Sequence, residues 1–261
     1  MNDVPEQHGI ETFQAEGLSF PPDAATAAAA NARAELYERA AADPVAFWAE
    51  QARELLTWQK PFTKTLEWEL PFAKWFDDGE LNASANCLDK HMGTPNEHKT
   101  AVIFEADDGT VTKTSYRELL ARVSQFANAL KAHGVNKGDR VLVYMPMTLE
   151  GVIAMQACAR LGAVHSVVFG GFASEAILDR LEDSGATTII TADGGWRRGK
   201  IVPLKPVVDE ALKKYNKIKN ILVVKRTGND VSMLAKRDHW WHQEMVNASA
   251  KHEPKGFDSE H

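Results

Sequence analysis

Two cysteines in 261 residues, Cys87 and Cys158, lie far apart with no CxxC spacing, which fits neither a disulfide framework nor a zinc site. A reducing compartment, the cytoplasm, is the expectation. No apolar run approaches the ~18 residues of a membrane helix, and the opening MNDVPEQHGI has no charged-then-apolar leader, so neither membrane contact nor secretion is expected. A cationic excess is also missing. The net charge of -6 argues against a nucleic-acid partner and makes any basic cluster a local feature suited to a small anion. GxSxG, HExxH and GxGxxG are all absent, and no catalytic nucleophile stands out. His165 opens an apolar strand and reads as a core histidine. His239 and His242 fall on one helical face beside Trp240 and Trp241 but lack a third ligand, so no metal is expected.

The chain does have enough apolar residues, 44%, to build a core. Residues 1–23 read as a flexible leader, with glycine, proline and polar residues but no sustained period. Ala24 to Ala42 is alanine-rich and helical by propensity, and Asp43-Pro44 supplies a cap and first-turn pair for a second helix. Trp58, Phe62, Trp68, Phe72, Trp75 and Phe76 follow, broken by Pro61 and Pro71. Such clustering marks an irregular segment packed on a neighbour, so residues 24–94 are expected to form a helical, aromatic-rich docking module.

From residue 95 the pattern changes. Ala101–Glu105 and Gly109–Thr114 flank Asp108-Gly109 as a hairpin, and Ser115 with Glu118 forms a capping box for a helix closed by Gly134. Arg140–Met145, Val164–Phe169 and Thr187–Thr191 read as strands, with helices at Thr148–Leu161 and after Ser174, the latter ending at Gly185. Val207–Tyr215 is a further helix and Asn220–Val224 a further strand. Alternating strands and helices with short links predict a doubly wound, mostly parallel α/β sheet over residues 95–261.

Ligands gather at the carboxyl edge of such sheets. Two glycine turns fall there: Phe169-Gly170-Gly171, and Gly194-Gly195 followed by Trp196 and the cations Arg197, Arg198 and Lys200. Cations on a glycine turn suit phosphate, glycines allow close approach, and Phe169 or Trp196 offers a stacking face. Gly194, Gly199 and Lys200 have Walker A spacing, but Ile201 replaces the magnesium-binding hydroxyl and Pro203 and Pro206 interrupt the following helix. A P-loop phosphotransferase is therefore disfavoured.

The blocks FWAEQARELLTWQKPF, PFAKWFDDGELNASANCLDKH, LGAVHSVVFGGFASEAILDRL and ADGGWRRGKIVPLK, in this order from about Leu36 onward, resemble the amino-terminal part of the AMP-forming acetyl-CoA synthetases of the adenylate-forming superfamily. That resemblance implies a cytoplasmic ligase which activates acetate with Mg-ATP to acetyl-adenylate and pyrophosphate, then lets the coenzyme A thiol attack the acyl carbon. It also implies that Arg197, Arg198, Gly199 and Lys200 meet the 3′-phosphate region of coenzyme A, with Phe169, Gly170 and Gly171 bordering the nucleotide. Arg198 stands where the family often has a small residue.

The family's Ser/Thr/Gly-rich phosphate loop, acetate pocket and carboxyl-terminal catalytic lysine match nothing in these residues. The expectation is a truncated synthetase that lacks catalytic residues, binds neither ATP with Mg2+ nor coenzyme A tightly, and self-associates through an exposed sheet edge. A propionyl-CoA synthetase fragment and a non-enzymatic nucleotide-binding module are the alternatives.

Overall fold

The fold was obtained as a computed structural model that describes residues 19–261. Of the expected leader, residues 1–18 lie outside the described residues. The chain divides into two compact units, one ending at Gln51 and one beginning at Ala52.

The first unit holds α1 (Ala24–Ala29), α2 (Ala34–Ala42) and most of α3 (Pro44–Leu55). Asp23 caps α1 by accepting the Ala25 and Thr26 N–H groups, each at 2.9 Å, and Asp43 accepts Ala46 N–H at 2.9 Å in the first turn of α3. The single helix expected over 24–42 is broken at Ala30–Arg33, where Arg33 turns back to donate to the Ala28 carbonyl at 2.8 Å. Neither α1 nor α2 buries a residue. Alanine propensity without a packed face does not carry a helix through that point.

In the second unit, Trp58, Phe62, Phe76 and Trp75 pack on one another with ring centroids 4.5–5.7 Å apart. Between them the chain forms an antiparallel ribbon of β1 (Leu66–Glu69) and β2 (Phe72–Trp75) on which Trp68 and Phe72 remain exposed. Where an irregular segment packed throughout was expected, the stretch is a ribbon that leaves these two rings in solvent. β3 (Glu80–Leu81) leads into α4 (Ala83–Cys87), capped by Asn82. The Asn82 amide also donates to the Arg160 and Lys255 carbonyls at 3.1 and 2.9 Å, and buried Arg160 pairs with Asp89 at 2.6 Å.

β4 (Thr100–Glu105) and β5 (Val111–Ser115) form the expected hairpin, and Ser115 and Glu118 form the capping box that opens α5 (Tyr116–Ala132). The central sheet then follows: β6 (Arg140–Met145), α6 (Leu149–Leu161), β7 (Val164–Phe169), α7 (Ser174–Ser184) and β8 (Thr188–Ala192). Ala173, not Ser174, occupies the cap position of α7, and no side chain caps it. Gly185 ends α7 in the left-handed region as expected. An unexpected hairpin of β9 (Gly194–Arg197) and β10 (Lys200–Pro203) comes next, then α8 (Lys205–Ala211), which starts and stops earlier than Val207–Tyr215. β11 (Asn220–Val224) and β12 (Asp238–Trp240) complete a five-stranded parallel sheet in the order β12-β11-β8-β6-β7, and α9 (Trp241–Asn247) and β13 (Phe257–Asp258) follow.

His239 therefore lies on a strand and His242 on a helix, so the two do not share a helical face. The shared tryptophan-rich segment reads as helical by spacing, but β11 offers β12 a ladder that propensity alone does not reveal. β6, β8 and β11 are almost wholly buried, which their uninterrupted β-branched and leucine runs require of strands covered on both faces. Both cysteines are free, and burial pushes the Cys158 thiol up to about 12. Among the described residues, no helix is long and apolar enough to cross a membrane.

Candidate functional site

From β6 the chain steps to one side for β7 and to the other for β8. Crossovers of one hand then part above the carboxyl end of β6, and a crevice opens there. A cavity of about 350 Å³ occupies that position. Pro146, Met147 and Thr148 enter it from the loop after β6, Phe169 and Gly170 from the end of β7, and Gly195, Trp196 and Arg197 from the hairpin after β8.

The cationic segment is a β-hairpin, which corrects the glycine turn expected at Gly194-Gly195. Those two glycines lie on β9 and are buried, while the reversal is made by Arg198 and Gly199 with φ of 52° and 71°. Positive φ at both central residues is the signature of the tight turn that matches strand twist. At Gly194 a Cβ would stand 2.7 Å from Thr227 Oγ1 and 2.9 Å from Asn229 Oδ1 and would displace those two side-chain ends. Gly170 is required for space, because a Cβ there would stand 2.8 Å from the Met145 carbonyl oxygen, which is fixed backbone.

The two predicted turns do meet. A Cβ placed on Gly171, whose φ is +121°, would lie 3.7 Å from Arg197 Nη1. Arg197, Phe169 and Gly170 thus share the cavity, with Gly171 at its margin. Gly199 lines an adjoining depression together with Trp196, Asp108 and Arg226. Arg198 and Lys200 sit exposed at the hairpin tip and line neither space. Among the described residues, no carboxylate forms an ion pair with Arg197, Arg198 or Lys200. His165 is away from this group, half-buried near the start of β7, where burial lowers its pKa.

Four residues of the site were not foreseen. Tyr144, buried on β6, donates its hydroxyl to the Phe172 carbonyl at 2.8 Å and accepts Gly171 N–H at 3.2 Å, holding the β7 turn; burial raises its pKa against the opposing Gly171 bond. Asp193 accepts four backbone N–H groups, from Gly194, Arg226, Thr227 and Gly228, at 2.8–3.0 Å. Burial would raise its pKa, but the backbone donors outweigh it and hold the carboxyl below its usual range. Arg226 lines the cavity with its guanidinium 5.3 Å from the Phe104 ring centroid, adding a second cation beside Glu105 and Asp107. Thr148, at the amino end of α6, buries its hydroxyl with no partner among the described residues. A buried polar side chain in a strand or at a helix end signals such partners in principle, since it must find them.

The cavity thus brings together an unpartnered hydroxyl at a helix amino terminus, two arginines, the carboxylates of Glu105 and Asp107, closely approachable glycine backbone and aromatic rings. A model of the AMP-binding enzyme family matches residues 89–258, and a model described as the acetyl-coenzyme A synthetase N-terminus matches residues 33–87. The chain belongs to the AMP-binding enzyme family. Its relatives include an acetyl-coenzyme A synthetase of Burkholderia mallei (strain SAVP1), 52% identical over 260 residues, covering 97% of this chain and 39% of the relative. One of Streptomyces coelicolor is 53% identical over 247 residues, covering 94% of this chain and 38% of the relative. The chain thus spans about two-fifths of the length of these relatives.

Proposed function

We propose that this chain is the amino-terminal portion of a cytoplasmic AMP-forming acetate–CoA ligase and supplies part of its coenzyme A site. The observation that carries the reading is the approach of Arg197 to Gly171, which joins two separately coded glycine segments in one cavity at the carboxyl edge. In this reading residues 24–94 are an N-terminal module and residues 95–261 the first part of a doubly wound AMP-binding domain. Acetate is favoured over propionate by the names of the relatives.

A carboxylate is a poor electrophile. Adenylation replaces oxide with AMP as the leaving group, and the thiol of coenzyme A then displaces AMP from the acyl carbon. In that scheme Arg197 neutralises the phosphate region of coenzyme A, Arg198 and Lys200 add cationic charge to it from the exposed hairpin tip, and Gly199 keeps the turn free of side chain. Phe169 borders the nucleotide, while Gly170 and Gly171 let it approach the backbone. Tyr144 and Asp193 hold the two loops that carry these groups. No residue of this chain is assigned to the transferring phosphate, so ATP with Mg2+ is a substrate of the full-length enzyme and is not tightly held here.

Calorimetric titration of the 261-residue chain with coenzyme A tests the assignment. Arg197→Ala is expected to weaken binding about tenfold, equivalent to about 1.4 kcal/mol. Undiminished binding by the variant would remove the hairpin from the site.

A further inference from the structure

We propose that His133, His239 and Glu244 form a binding site for one zinc-class divalent metal ion. The three come from different elements. His133 ends α5, His239 lies on β12 and Glu244 on α9, and one ligand atom from each lies within 4.8 Å of the others. His133 Nε2 is 2.9 Å from Glu244 Oε2, and His239 Nδ1 is 3.9 Å from Glu244 Oε1. A tetrahedral zinc ion with bonds of ~2.0–2.1 Å holds its ligand atoms about 3.3 Å apart, and the two separations, one to each Glu244 oxygen, fall on either side of that value.

The His239 ring keeps one nitrogen without a hydrogen-bond partner. Its Nε2 is buried without a partner, and its Nδ1 is too far from Glu244 for a hydrogen bond. With the proton on Nε2, the bare Nδ1 lone pair faces a carboxylate; a cation between them resolves that repulsion. The two imidazoles lie with centroids 4.2 Å apart, tilted at 45°, and all three residues are partly buried.

The frame around the cluster is fixed. Asn220, at the start of β11, donates to the His133 carbonyl at 3.0 Å, and Trp241 stacks on Phe126 at 3.5 Å, pinning α9 to α5. Asn220 holds His133 at the amino end of β11 and His239 pairs with Leu222 at the middle of that strand, whereas the cationic hairpin lies at the carboxyl edge. The ion would tie the edge strand β12 to two helices, a structural role independent of the coenzyme site.

The test is titration of the chelator-treated 261-residue chain with Zn2+ and Co2+. One equivalent should bind, cobalt should show the intense visible absorption of tetrahedral coordination, and a hundredfold excess of zinc over its dissociation constant should raise the melting temperature by about 5–10 °C. Glu244→Gln and His239→Asn should each weaken binding at least a hundredfold, while His242→Gln should leave it unchanged. Wild-type affinity in the first two variants would overturn the site. If those variants fail to fold, the native chain still decides: weak octahedral cobalt absorption, or X-ray absorption without two imidazole ligands, would equally refute it.

Discussion

Asp193 Oδ1 accepts the backbone N–H of Arg226 at 2.8 Å, fastening the loop after β11 to the base of the cationic hairpin. The same carboxylate holds Gly194, Thr227 and Gly228, so one side chain orders both walls of the cavity that carry arginine. Asp193→Asn keeps the volume but loses charge and acceptor capacity, and is expected to cost about 2–4 kcal/mol in urea unfolding.

That stability difference should depend on pH with a definite sign. Because the folded-state pKa of Asp193 is lowered, its contribution is complete above the unfolded carboxylate value of about 4 and is lost as pH falls through the lower folded value. Urea midpoints of the wild type and of Asp193→Asn should therefore differ by a constant amount at neutral pH and converge in acid. A gap that persists unchanged at the lowest pH at which the protein folds would contradict this role.

Lys205 is fully buried and pairs with Asp209 at 2.7 Å and Asp238 at 2.8 Å while donating to the Ser232 carbonyl at 3.0 Å. Arg237 also pairs with Asp238, so the cluster has two cations and two carboxylates. Lys205→Met leaves Asp238 short of a partner in a buried setting and should destabilise by about 3–5 kcal/mol, measured by chemical denaturation. A loss below ~1 kcal/mol would show that water or Arg237 replaces the ammonium.

β7 is an edge strand of the central sheet, and its Val164, Val167 and Phe169 are each about half exposed. An apolar edge invites pairing with another chain. Size-exclusion chromatography across a range of concentrations should show association of the 261-residue chain, and Val167→Lys should shift it toward monomer. Concentration-independent monomer elution of the wild type would contradict this.

The parallel sheet was legible in the sequence because its strands and helices have unbroken apolar patterns and conspicuous ends, such as Gly185 and the Ser115–Glu118 box. The cationic hairpin was not. Arginine seldom takes a positive φ, so Arg198-Gly199 does not announce the turn that Asn-Gly would. The Asp193 contacts were hidden for a different reason: apart from Gly194, its backbone partners lie more than thirty residues downstream, and no local pattern joins them. Likewise His133 is separated from Glu244 by 111 positions, so the third member of the histidine cluster emerges only when β12 joins the sheet.

The most direct test compares coenzyme A with its 3′-dephospho form on the wild-type chain and on Arg197→Ala combined with Lys200→Ala. Removing the 3′-phosphate should weaken wild-type binding about tenfold and leave binding to the double variant nearly unchanged, because the cations that meet that phosphate are already gone. Equal affinity of the wild type for the two ligands would contradict the assignment of the hairpin to the coenzyme phosphate.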